Sequence, residues 1–472
     1  MSDAMSRRTF VNAALGAAAL AGTSTAFAGE NTEVLEVGQT VPMITDDDDL
    51  LCERGGTTLT VQQLNLIRRE RVEAANGFTR EDGTEIKPIW HKLATLIDTY
   101  GWGGPDPDSG DPHGYVVALF NDDEEAAAHW LEMPWGKIFT PTEYAQRSGR
   151  TVEECRQICD DLALRGLLFK AMHSNGEPTY HHLAYVHGFM EQSIPRMYDP
   201  EFTAATYDSF LFTPTNPGLV SVGTPIYYAV PCDEGVVSDQ RILPLNDYRE
   251  VIDRNECIAV VPCCCGLRED VRLGADVPPI GSEELKGFRN VFGDHHPLER
   301  CLVFGEEAEY YLSIGAGRQI TKEETLEILH RNVYEEGLIV QLGYTNNSEV
   351  ICSCHSDCCG VLGNYRMFDP ETLAASPIMK NASNFLLEYD KDACISCGAC
   401  AQRCPMQAIT MGEDGHPEVD IYCVRCGQCG LVCPVGARTL TARSTEDRLP
   451  VPDDHMEDHN RKFGYRVEHG MR

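Results

Sequence analysis

At 472 residues the chain has length for about three domains of roughly 150 residues each, and for a sizeable core. Its 42% hydrophobic and 24% charged residues are ordinary globular values and exclude wholesale disorder and a multi-span membrane protein. A net charge of -34 repels phosphate backbones and anionic membranes, which sets nucleic acid aside as a partner, while 21 cysteines, an odd number, cannot all pair into disulfides and direct attention to metal or thiol chemistry.

The first residues run charged, apolar, cleavable: Ser6-Arg7-Arg8-Thr9-Phe10-Val11, a weakly apolar stretch from Ala13 to Ala21, then Ala26-Phe27-Ala28. This order resembles a twin-arginine export signal over residues 1–28. The resemblance implies that Arg7 and Arg8 are the receptor-read pair, that cleavage follows Ala28, and that the folded chain is carried to an extracytoplasmic site. Asn12, Gly16 and Gly22 interrupt the apolar stretch, which reads as a removed signal and not an anchor; no other segment is fit to span a bilayer. Residues 29–134 open on the acidic linker Asp46 to Asp49 and continue into helices predicted over Val61–Ala75 and Trp90–Thr99. Gly101 to Gly114 reads as a Gly/Pro/Asp loop.

Between 135 and 195, Thr140 with Glu143 and Thr151 with Glu154 are capping boxes that start two helices. Val152, Cys155, Cys159 and Leu162 recur at helical spacing, Gly166 ends the second helix, and Leu167 to Phe169 and Tyr180 to Tyr185 read as strands. The segment resembles a winged-helix unit. Its second helix carries Glu153, Glu154, Asp160 and Asp161 where DNA requires a basic face, so it reads as structural or partner-docking. His173, His181, His182 and His187 read as scattered surface histidines of a wing.

Residues 196–380 read as a Cys-rich α/β region, with strands at Ile226–Val230 and Cys257–Val261 and a helix near Asp247–Arg254. Thr321 to Glu324 is a further capping box, and the helix-to-strand run through Gly337 weakly echoes the one through Gly166. Eight cysteines sit here: Cys263-Cys264-Cys265, Cys301, Cys352, Cys354, Cys358 and Cys359. Adjacent cysteines diverge, so one member of each group is expected to converge on a third metal centre, with Cys263 or Cys265, Cys301, Cys352, Cys354 and Cys358 as candidate ligands. His355 is able to replace one thiolate. A third iron-sulfur site, zinc, or a metal-free set of buried thiols or vicinal disulfides are the readings open here. Cys52, Cys155, Cys159, Cys232 and Cys257 stand alone, with Cys155 and Cys159 on one helical face as core.

Cys394-x2-Cys397-x2-Cys400-x3-Cys404-Pro405 recurs 29 residues on, at Cys423-x2-Cys426-x2-Cys429-x3-Cys433-Pro434. A cubane needs four thiolates at tetrahedral corners, and two-residue gaps let one tight loop supply three of them. Residues 385–441 resemble a bacterial two-cluster ferredoxin. The resemblance implies that the fourth cysteine of each run serves the other cluster, giving Cys394, Cys397, Cys400 and Cys433 for one 4Fe-4S cluster and Cys423, Cys426, Cys429 and Cys404 for the other. Ile395, Ile409, Val424, Leu431 and Val432 are expected to exclude water, and Gly398 and Gly427 to allow close approach. From Trp135 to Val435 the chain further resembles poorly characterised ferredoxin-like 4Fe-4S proteins of anaerobes. The elements that carry this are Val261 to Cys265, Cys301 to Gly305, Ile320 to Glu324, Gly337-Leu338 and Ile351 to Gly360. The departure is Cys264, which fills the gap of a Cys-x-Cys pair.

The expected fold is α+β and multidomain: a winged-helix-like unit and a Cys-rich α/β region, then a two-cluster ferredoxin domain of βαββαβ type at 381–441 and a polar tail at 442–472. The expected function is single-electron transfer to or from a partner oxidoreductase or carrier with a basic docking face. No nucleotide-binding loop, nucleophile elbow or acid/base pair is found, so no catalytic residue is named. The competing readings are an oxidoreductase binding substrate at the upstream cysteines, a redox-sensing regulator, and a docking module stapled by silent clusters.

Overall fold

A computed structural model describes residues 57–211, 224–231 and 248–471, apart from 102, 105, 110, 294, 344, 346–347, 377, 380–381, 445–446 and 448–450. The expected export signal, the acidic linker, Cys52 and Cys232 lie outside the described residues. Thr60 and Gln63 close a capping box on α1 (Val61–Ala74), and α2 (Pro88–Asp98) opens on a proline whose missing N–H has no partner to lose there. Helix α3 (Asp111–Phe120) begins inside the expected 101–114 loop, and α4 (Glu124–Glu132) follows. Leu93, Ile97, Val116, Phe120 and Trp130 pack together from these helices.

Both expected capping boxes form, on α5 (Pro141–Ser148) and α6 (Val152–Leu164). Gly166 stops α6 at φ +72°, where a Cβ would stand 2.7 Å from the Gln192 carbonyl oxygen. A hairpin of β1 (Phe169–Met172) and β2 (Pro178–His181) comes next, in register Phe169 to His181. The helix, helix, hairpin order is thus present, and α6 buries Cys155 and Cys159 completely.

The largest sheet has six strands: β3 (Tyr227–Val230), β4 (Ile258–Pro262), β5 (Glu299–Phe304), β6 (Arg318–Gln319), β7 (Ile339–Gly343) and β8 (Val350–Cys354). They run in the order β3-β7-β8-β5-β4-β6, with every pair antiparallel. Side chains alternate across this sheet. One face, with Tyr228, Val260, Leu302, Phe304, Leu342 and Ile351, packs on α7 (Tyr248–Arg254) and α10 (Lys322–His330). The other, with Tyr227, Val261, Cys301, Val303 and Cys354, packs on α8 (Cys264–Arg272) and α9 (Gly305–Ser313). Burial on both faces explains why these strands read as near-continuous apolar runs.

The C-terminal domain has the expected βαββαβ order: β9 (Phe385–Tyr389), α11 (Ala399–Arg403), β10 (Ile409–Met411), β11 (Pro417–Val419), α12 (Gln428–Leu431) and β12 (Arg438–Ala442). Strand β9 pairs with β12 and β10 with β11. The segment expected as a polar tail is instead α13 (His455–Glu468), docked on the N-terminal helices. Asn460 bonds Arg68 and the Gly136 carbonyl oxygen, and Arg466 pairs with Asp98 at 2.9 Å. No helix of the described residues is long and apolar enough to cross a membrane.

Candidate metal centres

Strand alternation collects sulfur on one face of the large sheet. Cys352 and Cys354 share a face of β8, and the pairing of Ile351 with Leu302 sets Cys352 beside Cys301 on β5. Cys263 stands where β4 gives way to α8, and Cys264 and Cys265 form the helix's first turn. The thiols make a closed ring of hydrogen-bonded neighbours, Cys263, Cys265, Cys359, Cys354, Cys352 and Cys301, with Cys264 joined to Cys265 and Cys358 to Cys263. All but Cys358 line one buried cavity of about 580 Å³.

The expectation that adjacent cysteines cannot share a site is overturned: Cys263, Cys264 and Cys265 all face this cavity, and Cys359 lines it while its neighbour Cys358 bonds Cys263 from outside the wall. The strand-to-helix turn at Cys263 changes the angular step between residues from about 180° to about 100°, so successive side chains sweep around one space. Cys264-Cys265-Gly266 and Cys358-Cys359-Gly360 are the same tripeptide, a signal that could have singled out Cys264 and Cys359. His355 is not part of the cavity wall; its ring lies beside His296 and its Nδ1 meets Asp357.

Fixed donors face these sulfurs. Arg300 Nη2 donates to Cys263 and Cys358 at 3.3 Å each, the Gly360 amide to Cys265 at 3.3 Å, and the Leu362 amide to Cys359 at 3.5 Å. Hydrogen bonds from Cys265, Cys301 and Cys358 hold the Cys263 thiol well below its usual range, and bonds from Cys352 and Cys359 bring Cys354 down to about 6. The cavity therefore offers thiolates ready for metal beside thiols that release a proton on ligation. Every described cysteine is a free thiol. A tetrahedral zinc site would draw four sulfurs to about 3.8 Å of one another, from a Zn–S bond of about 2.3 Å. Among the described residues no three of these sulfurs lie mutually within 4.8 Å.

In the C-terminal domain, Cys394, Cys397, Cys400 and Cys433 line one pocket of about 350 Å³, and Cys404, Cys423, Cys426 and Cys429 line another of about 320 Å³. The fourth cysteine of each run is thus brought to the other run's loop. The backbone repeats with the sequence: φ is positive at Ser396 and Arg425, at Gly398 and Gly427, and at Gln407 and Gly436. The Ala408 amide donates to Cys404 Sγ at 3.3 Å, as the Ala437 amide does to Cys433 Sγ at 3.2 Å. Ile409 and Val424 are buried as expected, but Ile395 is 61% exposed and shields nothing. Cys397 is exposed while Cys426 and Cys429 are buried, so the first pocket faces solvent and the second faces inward. Burial pushes the Cys429 thiol up to about 12.

The inward pocket abuts the upstream cysteines. Ser356 Oγ donates to the Pro405 carbonyl oxygen at 2.7 Å, Gln407 Nε2 to Asp357 at 3.1 Å, and Arg366 to the Met406 carbonyl oxygen at 2.6 Å. Met406, Val424 and Cys426 belong to the same apolar core as Cys354 and Cys359. The histidines expected on a wing surface divide: His173 is exposed, whereas His182 is completely buried and the His187 side chain is 8% exposed, in the wall of the upstream cavity.

Residues 393–437 match the family of 4Fe-4S dicluster domains. No curated protein and no solved structure matches the chain. The C-terminal domain is ferredoxin-like and iron-sulfur binding, and it supports an electron-transfer role.

Proposed function

We propose that the protein relays single electrons through two 4Fe-4S clusters, one on Cys394, Cys397, Cys400 and Cys433 and one on Cys423, Cys426, Cys429 and Cys404, and through a further iron-sulfur centre in the cavity lined by seven of the upstream cysteines. The observation that carries the proposal is the placement of the three sulfur-lined spaces: solvent-facing pocket, inward pocket, buried cavity, with hydrogen bonds tying the segment after Cys354 to the segment after Cys404. Cubanes exchange one electron with little change of shape, and the amide and guanidinium donors to sulfur set their potentials.

The exposed cluster meets the partner, an oxidoreductase or carrier whose docking face is basic, given the net charge of -34. The arginine pair and small-residue site near the start direct the folded, cluster-loaded protein out of the cytoplasm by the twin-arginine route. An oxidoreductase reading is favoured by one feature, the presence of His187 and Glu191 in the wall of the upstream cavity, where they are able to serve a bound substrate with protons.

Single substitutions test the assignment. Cys433→Ser removes the electron paramagnetic resonance signal of the solvent-facing cluster, Cys404→Ser that of the inward cluster, and Cys301→Ala a third signal, each leaving the other two. Loss of the inward signal in Cys433→Ser would contradict the crossed ligation, and an unchanged spectrum in Cys301→Ala would contradict the third centre.

A further inference from the structure

Outside the cysteines, three ligand-bearing side chains from distant parts of the chain meet at one point. His187 follows the β1–β2 hairpin, Glu307 lies in the first turn of α9, and His455 is the first residue of α13. One ligand atom from each lies within 4.8 Å of the other two, and no other such group occurs among the described residues. We infer that His187, Glu307 and His455 bind a first-row divalent metal ion, at a site independent of the iron-sulfur centres.

Four observations support the site. First, the pocket is buried: the His187 side chain is 8% and the Glu307 side chain 1% exposed. Second, atoms able to ligate are left over, since Glu307 Oε2 and His455 Nε2 are buried without a hydrogen-bond partner. A buried carboxylate oxygen or imidazole nitrogen in that condition has lost its water without replacement, and a cation removes that cost. Third, His187 is oriented from behind. Its Nδ1 meets the Tyr227 hydroxyl at 2.7 Å and its Nε2 faces Glu307, so an N–H at Nδ1 leaves the Nε2 lone pair directed at the site. Fourth, further carboxyl groups stand close: Glu191 Oε2 lies 3.8 Å from His187, Glu349 stands near enough to Glu307 and Glu306 to feel their charge, and the one lysine near His455, Lys462, is paired with Asp458.

Two imidazoles and one carboxylate suit Zn²⁺ or Fe²⁺ and leave coordination positions open. Those positions have space to face. His187 and His455 line a cavity of about 320 Å³ together with Tyr227, Asp458, His459 and Lys462. His187 and Tyr227 also line the upstream cysteine cavity, so one layer of side chains separates the two. An iron ion here would be placed to exchange an electron with a centre on the cysteines, whereas Zn²⁺ would act only as a Lewis acid; either would hold water or a small ligand on its open side.

The test uses the full chain, loaded with its iron and sulfide and stripped of loosely held metal by a chelator, with Zn²⁺ as the probe. Equilibrium dialysis followed by elemental analysis is expected to find one Zn²⁺ bound per chain. Glu307→Gln and His455→Ala are each expected to weaken that binding by about a hundred-fold or more while iron and sulfide per chain stay unchanged. The unchanged iron count shows that each variant has folded, and zinc is also expected to raise the Tm of the parent but of neither variant. No uptake by the parent chain overturns the inference whatever the variants do, and so does uptake that persists undiminished in both. The proposed relay stands or falls on iron, sulfide and paramagnetic signals, so the two failures are told apart.

Discussion

His182 shows how far burial alone decides the state of one residue. Its Nε2 donates to the Trp130 carbonyl oxygen at 2.9 Å, the Trp130 ring lies 4.0 Å away, and its Nδ1 is buried without a partner. A proton at Nδ1 would place a charge in the core unanswered, and burial holds the imidazole at about 3, down from 6.5. Below 6.5 the unfolded chain therefore takes up a proton that the folded chain refuses, so stability falls as the pH drops from about 6.5 to about 3, by at most ~1.4 kcal/mol per pH unit. His182→Gln is expected to be less stable at pH 7 but to lose this part of the slope, measured as Tm against pH for both proteins. Parallel slopes would mean that His182 takes up its proton as readily in the folded chain as in the unfolded one. This role was not legible in the sequence, where four nearby histidines look alike; what separates them is the packing of Trp130 and Tyr100, contributed by α4 and the end of α2. The ferredoxin cysteines were legible because a cubane dictates their local spacing, which no other chemistry requires.

Elements were read best where their ends carry side-chain signals. The Thr140 and Thr151 capping boxes placed α5 and α6 correctly, and Gly166 placed the stop. Helix α13 was missed for a physical reason. Its buried residues include Asp458, Arg461, Lys462 and Arg466 beside only Met456 and Phe463 as apolar side chains, so it buries ion pairs where a helix ordinarily buries a broad apolar stripe, and its polar composition reads as a tail. Arg466 reaches Asp98 with both side chains under 8% exposed, and Nη1 also donates to the Asp98 carbonyl oxygen at 2.5 Å. Removing one partner of such a pair leaves a charge behind in the core. Arg466→Met is expected to cost about 3 kcal/mol in urea unfolding, Arg71 at 3.6 Å from Asp98 softening the loss, and to leave the iron content unchanged. A cost below about 1 kcal/mol would mean that α13 is not held by this pair.

At the scale of the molecule, the sheet was beyond the sequence. Its strand order joins segments more than a hundred residues apart, and only that order turns Cys263, Cys301, Cys352 and Cys359 into neighbours. Composition foresaw metal chemistry upstream; topology supplied its extent, seven cysteines around one cavity where four or five candidates were expected to converge. The cavity is larger than either ferredoxin-like pocket, about 580 Å³ against about 350 and 320 Å³. The account predicts that the protein purified without oxygen contains about twelve irons per chain or more, with matching acid-labile sulfide, from at least three centres of about four irons each. About eight irons per chain, with no change on reconstitution, would contradict it and confine the redox chemistry to the C-terminal domain.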